Sequence, residues 1–561
     1  MTWAKRRVIV ITIVILFIVA LIWIGSKPQR MMSNAVLVID ASGEINEQRP
    51  LDLLSALNGN TVPVLHDYLD AIDSAARDPR VTGIVVRIAP LETGWAKLEE
   101  IHSRLIAFQK SGKPSVCYLG YDGVGNPEYY LATGCSQIWL VPTDPIDIHG
   151  MMAETLFLRG TLDKLKIVPE YYHIAEYKTA GNTFTEKGFT PAHKEEVESL
   201  LHSIYSEYLS ESAKARGMDA AKFENLVKQG PLLTQDAVRD GIVDRLGYWD
   251  QVQDYFKERH HSWNPISLNR YRMFLTMPGG EKLAVIHATG LIVSGDSQDS
   301  PTGGFVMGGD SVAEDIRTAR DDAGVKAIVL RIDSGGGSVV GSEVIRREVE
   351  LANAVKPVVV SMSDVAASGG YWIATPARKI VADPNTITGS IGVLIGKFNI
   401  SGLYGMLGMH ADYVTTSDNA TLFSEVENFT PAQRDWIQKS LNETYAEFTA
   451  GVARGRHMSV EAVDKIGKGR VWSGAQAKDL GLVDELGGMD RAIEISKQLA
   501  HIPANEPVHI VRYPREKTFW EMLFERERSM SESTSIQAAL NKILAAAGTV
   551  QARVPFDLRI R

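Results

Sequence analysis

The chain has 561 residues, 45% of them drawn from AVILMFWYC and 23% charged, with 48 glycines and 23 prolines. This composition suits several folded cores and excludes a disordered or low-complexity protein; at roughly 100–200 residues per domain, two or more domains are expected. Lysine and arginine total 59 against 68 acidic residues, a formal net charge of -9, and with no long basic run in the body the chain is not built for nucleic acid. The two cysteines, Cys117 and Cys135, exclude a Cys-ligated metal site and a disulfide framework. One isolated disulfide stays open, but two small buried residues is the simpler reading.

Near the N-terminus, Lys5, Arg6 and Arg7 precede an apolar run over residues 8–24, broken only by Thr12 and flanked by Trp3 and Trp23. Seventeen residues is the short end of a bilayer span. No small-residue cleavage site follows, so residues 1–32 are predicted to be an uncleaved signal anchor. The cations before the run outnumber Lys27 and Arg30 after it, which puts the N-terminus in the cytoplasm and the remaining bulk outside.

The body is one unit written twice. Phe189, Thr190, Pro191 and Ala192 recur as Phe429, Thr430, Pro431 and Ala432, and Gly241, Val243, Asp244 and Gly247 as Gly481, Val483, Asp484 and Gly487, with 481 − 241 = 240. Upstream, Arg87 matches Arg331 at an offset of 244 and Tyr129 matches Tyr371 at 242, a drift that small insertions explain. Homologous domains are expected at 33–250 and 282–500, with a linker at 251–281 and a helical tail at 501–561.

Short Val/Ile-rich runs at 283–287, 327–332, 357–362 and 379–382 read as buried strands, separated by helical stretches such as 341–354. This is the pattern of βαβ units on a largely parallel sheet. Within the tail, 519–524 and 536–547 are helical candidates.

Two glycine-rich turns follow strands in the second half: Ser334-Gly335-Gly336-Gly337-Ser338, and Ser368-Gly369-Gly370. In a parallel sheet reacting groups gather at such strand ends. A serine between strand and helix exposes its hydroxyl, and N–H groups of a facing glycine loop can bind an oxyanion. Neither the G-x-G-x-x-G nor the G-x-x-x-x-G-K spacing of a phosphate turn is present.

A nucleophilic serine needs a base. His287, His410 and His457 are available in the second half, none in a motif context. The repeat offers another candidate: Tyr177-Lys178-Thr179 aligns with Tyr413-Val414-Thr415, and Ser368 aligns with Asn126. One copy has the lysine without the serine, the other the serine without the lysine, which points to a single composite site. Ser390, in Thr388-Gly389-Ser390, corresponds to Met151 in His149-Gly150-Met151 and can orient a neutral amine. With a reference pKa near 10.4, only about one lysine in 2,500 is neutral at pH 7, so a depression of roughly 3 units is required.

Taken together, the 363–376 run, the 334–338 loop, Thr388-Gly389-Ser390-Ile391-Gly392 and Glu176-Tyr177-Lys178-Thr179-Ala180 resemble the long, duplicated signal peptide peptidases, from the anchor to about residue 500. The resemblance implies an α/β fold of two tandem crotonase/Clp-like domains behind one transmembrane helix. It also implies a Ser–Lys dyad endopeptidase that needs no cofactor or metal and degrades signal-peptide remnants. By position it makes Ser368 the nucleophile, Lys178 the general base, Ser390 the lysine-orienting hydroxyl, and the Gly336, Gly337 and Gly369 backbones the oxyanion donors. It further implies a homotetramer on the bacterial inner membrane with its catalytic domains periplasmic. Gly335 departs from the family's S-P-G-G-S loop by replacing proline, which loosens the loop without removing a donor. Two alternatives differ in class: a crotonase-like acyl-CoA enzyme and a non-catalytic membrane scaffold.

Overall fold

A computed structural model describes residues 31–49, 62–276, 279–299 and 305–515, with the backbone of 551–553 and 559–560. The expected anchor at 8–24 and the tail helices at 519–524 and 536–547 lie outside the described residues. Among the described residues no helix is long and apolar enough to cross a membrane.

The first half forms a six-stranded parallel sheet in the order Arg245–Leu246, Gln137–Leu140, Ser115–Leu119, Val81–Leu91, Ala35–Gly43, Asn264–Ser267. The second half repeats this order, again in parallel, with Glu485–Leu486, Lys379–Ala382, Val358–Ala367, Val325–Ser334, Glu281–Thr289 and Val508–Tyr513. Ala327, Ile328, Val329, Leu330 and Ile332 are all fully buried. Both faces of a parallel sheet are covered, so its central strands are apolar throughout rather than alternating. Ile328, Leu330 and Ile332 join one apolar cluster, and Val329 joins another with Val285, Val359 and Val381 on the opposite face.

The copies share their small contacts as well. Tyr129 donates its hydroxyl to the Ile242 carbonyl at 3.0 Å, and Tyr371 donates to the Leu482 carbonyl at 2.8 Å. Arg216 donates to Asp244 and the Gly241 carbonyl, Arg456 to Asp484 and the Gly481 carbonyl. Thr190 and Thr430 each cap a long helix, Pro191–Ala215 and Pro431–Arg456, with proline at the first helical position, where its missing N–H has no partner to lose.

Three expectations need correction. The segment read as a linker is structured: Asn264–Ser267 pairs with Ala35–Gly43, and Leu268 and Tyr271 of the helix Leu268–Arg272 are buried. The tail is not wholly helical, because Val508–Tyr513 closes the second sheet. Its polar members, His509 and Arg512, hid a strand that occupies the half-exposed edge. Cys117 and Cys135 are bonded to each other, with Cα atoms 5.7 Å apart. Cys117 lies in the strand Ser115–Leu119 and Cys135 in the turn after the helix Asn126–Thr133, a proximity that no sequence spacing reveals.

A third, mixed sheet draws on both halves. Leu394–Asn399 of the second half pairs antiparallel with Val168–His173 of the first, from Leu394 opposite His173 to Asn399 opposite Val168. Residues 551–553 enter the same sheet, antiparallel to Gly336–Ser338 and reaching Leu394. The Val168–His173 strand carries the first half's chain into the second half's site.

Candidate active site

Ser368 follows the strand Val358–Ala367 and caps the helix Gly369–Ala374. Its backbone, at φ 55° and ψ −115°, lies where a non-glycine residue is strained by about 1–3 kcal/mol. Two bonds hold it there: its N–H donates to the Gly389 carbonyl at 2.8 Å, and Trp372 N–H donates to its carbonyl at 2.8 Å. In the first copy the aligned Asn126 is the first residue of the helix Asn126–Thr133, without the positive φ of Ser368, and its Nδ2 donates to the Gly150 carbonyl at 2.7 Å.

Lys178 arrives five residues beyond the cross-half strand Val168–His173. It is completely buried, as are Ser368 and Ser390. Its backbone is seated against Gly469, where an added Cβ would stand 2.5 Å from Lys178 N; Gly469 also has φ +83°, so glycine is required twice over. Lys178 Nζ lies 2.7 Å from Ser368 Oγ, 3.0 Å from Ser390 Oγ and 3.1 Å from the Ser390 carbonyl. A neutral amine has two N–H bonds and one lone pair. The two Ser390 oxygens accept both N–H bonds, and the lone pair is left for the Ser368 hydroxyl.

Burial pushes the Lys178 amine down to about 7, opposed by the nearby Glu196 carboxyl. Burial in turn pushes Glu196 up to about 8, against donation from Val471 N–H at 2.9 Å and the Thr179 hydroxyl at 3.3 Å. The lysine thus meets the requirement of a base that is substantially neutral near pH 7.

The strand Val325–Ser334 leads into the glycine loop. Gly336 and Gly337 have φ of +95° and +150°, and a Cβ on Gly337 would stand 2.1 Å from the Ile292 carbonyl oxygen. A Cβ on Gly370 would stand 2.4 Å from the Ser334 carbonyl oxygen, so the loop and the helix after Ser368 are in direct contact. Ser334 Oγ braces the loop by donating to the Gly290 carbonyl at 2.6 Å and accepting from Gly336 N–H at 3.1 Å.

The histidines open as alternative bases stand elsewhere. His287 is buried 3.7 Å from Glu47, while His410 and His457 are exposed. Val414, aligned with Lys178, is 100% exposed, so the second copy's counterpart loop turns to solvent. The sequence reading missed Glu196. A signal existed, because at the offset of 240 its counterpart is Trp436, which is half exposed.

Residues 107–262 and 350–503 match peptidase family S49. The chain is 34% identical over 502 residues to "Serine protease SPPA, chloroplastic" of Arabidopsis thaliana, covering 87% of this chain and 73% of that protein. It is 35% identical over 512 residues to "Protease 4" of Salmonella typhi, covering 87% and 80%. Among solved structures, ClpP1 from Listeria monocytogenes aligns at 17% identity and a TM-score of 0.23, covering 36% of this chain and 91% of that one. With two matched segments and relatives spanned over most of their length, the chain belongs to peptidase family S49 and is a serine peptidase.

Proposed function

We propose that this serine peptidase is a membrane-anchored endopeptidase that cleaves signal-peptide remnants and other hydrophobic peptides with a Ser368–Lys178 dyad. The observation that carries the dyad is the 2.7 Å contact between Lys178 Nζ and Ser368 Oγ in a fully buried setting. Membership of a serine peptidase family sets aside the acyl-CoA and scaffold alternatives.

Neutral Lys178 takes the Ser368 hydroxyl proton as Oγ adds to the scissile carbonyl. N–H groups of Gly337 and Gly369 hold the resulting oxyanion; Gly336 N–H, expected to join them, is already donated to Ser334 Oγ at 3.1 Å. When the intermediate collapses, the C–N bond breaks, Lys178 gives its proton to the departing amine, and an acyl-Ser368 ester remains. Lys178 then takes a proton from water, whose oxygen adds to the ester, and returns it to Ser368 Oγ as the acid leaves. Ser390 keeps the amine aimed throughout.

Residues 551–553 pair beside Gly336–Ser338 and reach Leu394, so this strand position accepts extended main chain, as a peptide substrate would be bound. The run at 8–24 serves as a single-pass anchor in the bacterial inner membrane, with the N-terminus cytoplasmic and the body periplasmic. The assembly is a homotetramer. The relatives' names, "Serine protease SPPA" and "Protease 4", support the peptidase activity. Ser368→Ala is expected to abolish cleavage of a synthetic signal peptide and labelling by a fluorophosphonate. Turnover surviving in that variant would refute the dyad.

A further inference from the structure

A second buried lysine also crosses between the halves. Lys97 lies in the first turn of the helix Trp95–Gln109 of the first half, yet its ammonium reaches acids of the second half: Asp333 Oδ2 at 2.8 Å and Asp364 Oδ2 at 3.0 Å. Its own backbone N–H donates to Asp364 Oδ1 at 3.0 Å. The fit is close, since a Cβ on Gly94 would stand 2.2 Å from the Asp364 carboxyl carbon.

These two acids mark a break in the ladder that leads to the candidate active site. Along the parallel pair Val325–Ser334 and Val358–Ala367, Ile332 faces Met362 but Ser334 faces Ala366. One residue, Asp333, thus opposes three, Ser363 to Val365. A bulge of this kind redirects the strand beyond it. Val365 N–H turns to the Asp333 side chain at 3.2 Å instead of a ladder carbonyl. Past the break one strand continues into the Gly336–Gly337 loop and the other into Ser368. Where main-chain pairing lapses, Lys97 joins the two strands through their carboxylates.

The repeat indicates that this tie is special to the second half's site. At the upstream offset of 244, Asp333 corresponds to Ala89 and Lys97 to Gly341, while at the offset of 242 Asp364 falls on Asp122, so the lysine and one of its two acids are missing from the other copy. Burial works against the Lys97 charge, but Asp333 and Asp364, helped by Glu47, outweigh it and raise its pKa. The group is a permanent cation.

We propose that Lys97 is a positioning residue of the peptidase: by bridging Asp333 and Asp364 across the bulge, it sets the glycine loop against Ser368. The proposal rests on Ser368 and the loop acting as nucleophile and oxyanion donors. A misplacement near 1 Å in such an arrangement lowers turnover by about a hundredfold. Lys97→Met is therefore expected to lower kcat on a signal peptide by about 10- to 100-fold with KM changed less than threefold.

Lys97→Met leaves two partly buried carboxylates without their cation and so lowers stability as well. The deciding protein is the full chain carrying Lys97→Met, Asp333→Asn and Asp364→Asn together, which removes the unpaired charge. It is expected to melt near the native temperature, to keep the native pH midpoint of activity because Lys178 is untouched, and still to have kcat reduced at least tenfold. A triple variant with kcat within twofold of native would overturn the positioning role and leave Lys97 a structural ion pair. Ser368→Ala, assayed alongside, separates the two failures, since turnover there refutes the dyad whatever the triple variant does.

Discussion

Lys178 and Lys97 are both buried, both belong to the first half, and both reach into the second, yet their chemistry is opposite. Among the described residues nothing anionic touches the Lys178 ammonium. Its neighbours within 3.1 Å are two hydroxyls and a carbonyl, and burial takes it down to about 7. Lys97 meets two carboxylates within 3.0 Å, and they outweigh the same burial. Removal from water disfavours any ammonium; what decides between base and structural cation is whether a carboxylate is in contact to compensate.

The contrast can be broken at its strongest point first. Lys178→Met removes the proposed base and is expected to lower kcat/KM by about 10²- to 10⁴-fold, measured on a synthetic signal peptide. Lys178→Arg should lose as much, because a guanidinium stays protonated.

Next, Ser390→Asp would give Lys178 the kind of neighbour Lys97 has. The acid limb of kcat/KM, expected at about pH 7 from the lysine, should move alkaline by about 1–3 units, seen as a pH–rate profile displaced upward. Native activity should fall about tenfold for each pH unit below 7.

Stability offers a third check. Because the Lys178 pKa is lowered from 10.5 to about 7, the folded state binds fewer protons than the unfolded chain between those values. Native stability therefore rises with pH across that window, and below it the buried ammonium exerts its full penalty. Lys178→Met should accordingly melt higher than native at pH 6, by up to about 4 kcal/mol, with the gain shrinking toward pH 10. The smallest effect is expected from Glu196→Gln. The Glu196 carboxyl raises the lysine, so its loss should move the acid limb slightly to lower pH, by less than about 1 unit.

Much of the fold was legible because buried parallel strands advertise themselves. The runs read at 283–287 and 327–332 lie inside Glu281–Thr289 and Val325–Ser334. The run at 357–362 stops short of the true strand, which continues to Ala367. Ser363 and Asp364 interrupt the apolar run ahead of Val365, Ala366 and Ala367; the segment is extended because Ile387–Gly389 pairs with its end. The meeting of Lys178 with Ser368 was legible for a different reason: duplication supplies an internal comparison, and each of the two lacks a counterpart in the other copy. Lys97 escaped notice although the same test applied to it. A lysine between Ala96 and Leu98 in a helix reads as surface, and its partners are more than two hundred residues away.

The sequence by itself determined the duplication, the parallel α/β class and the residue types at Ser368, Lys178 and Ser390, because periodicity, turn chemistry and repeat offsets are local properties of a chain. Tertiary structure alone decided the Cys117–Cys135 bond, the strands Asn264–Ser267 and Val508–Tyr513 at the edges of the two sheets, and the protonation of the two lysines. Each depends on which distant groups are brought within a few ångströms. An amine's charge is set by the dielectric and the carboxylates around it, and neither exists until the halves have packed together.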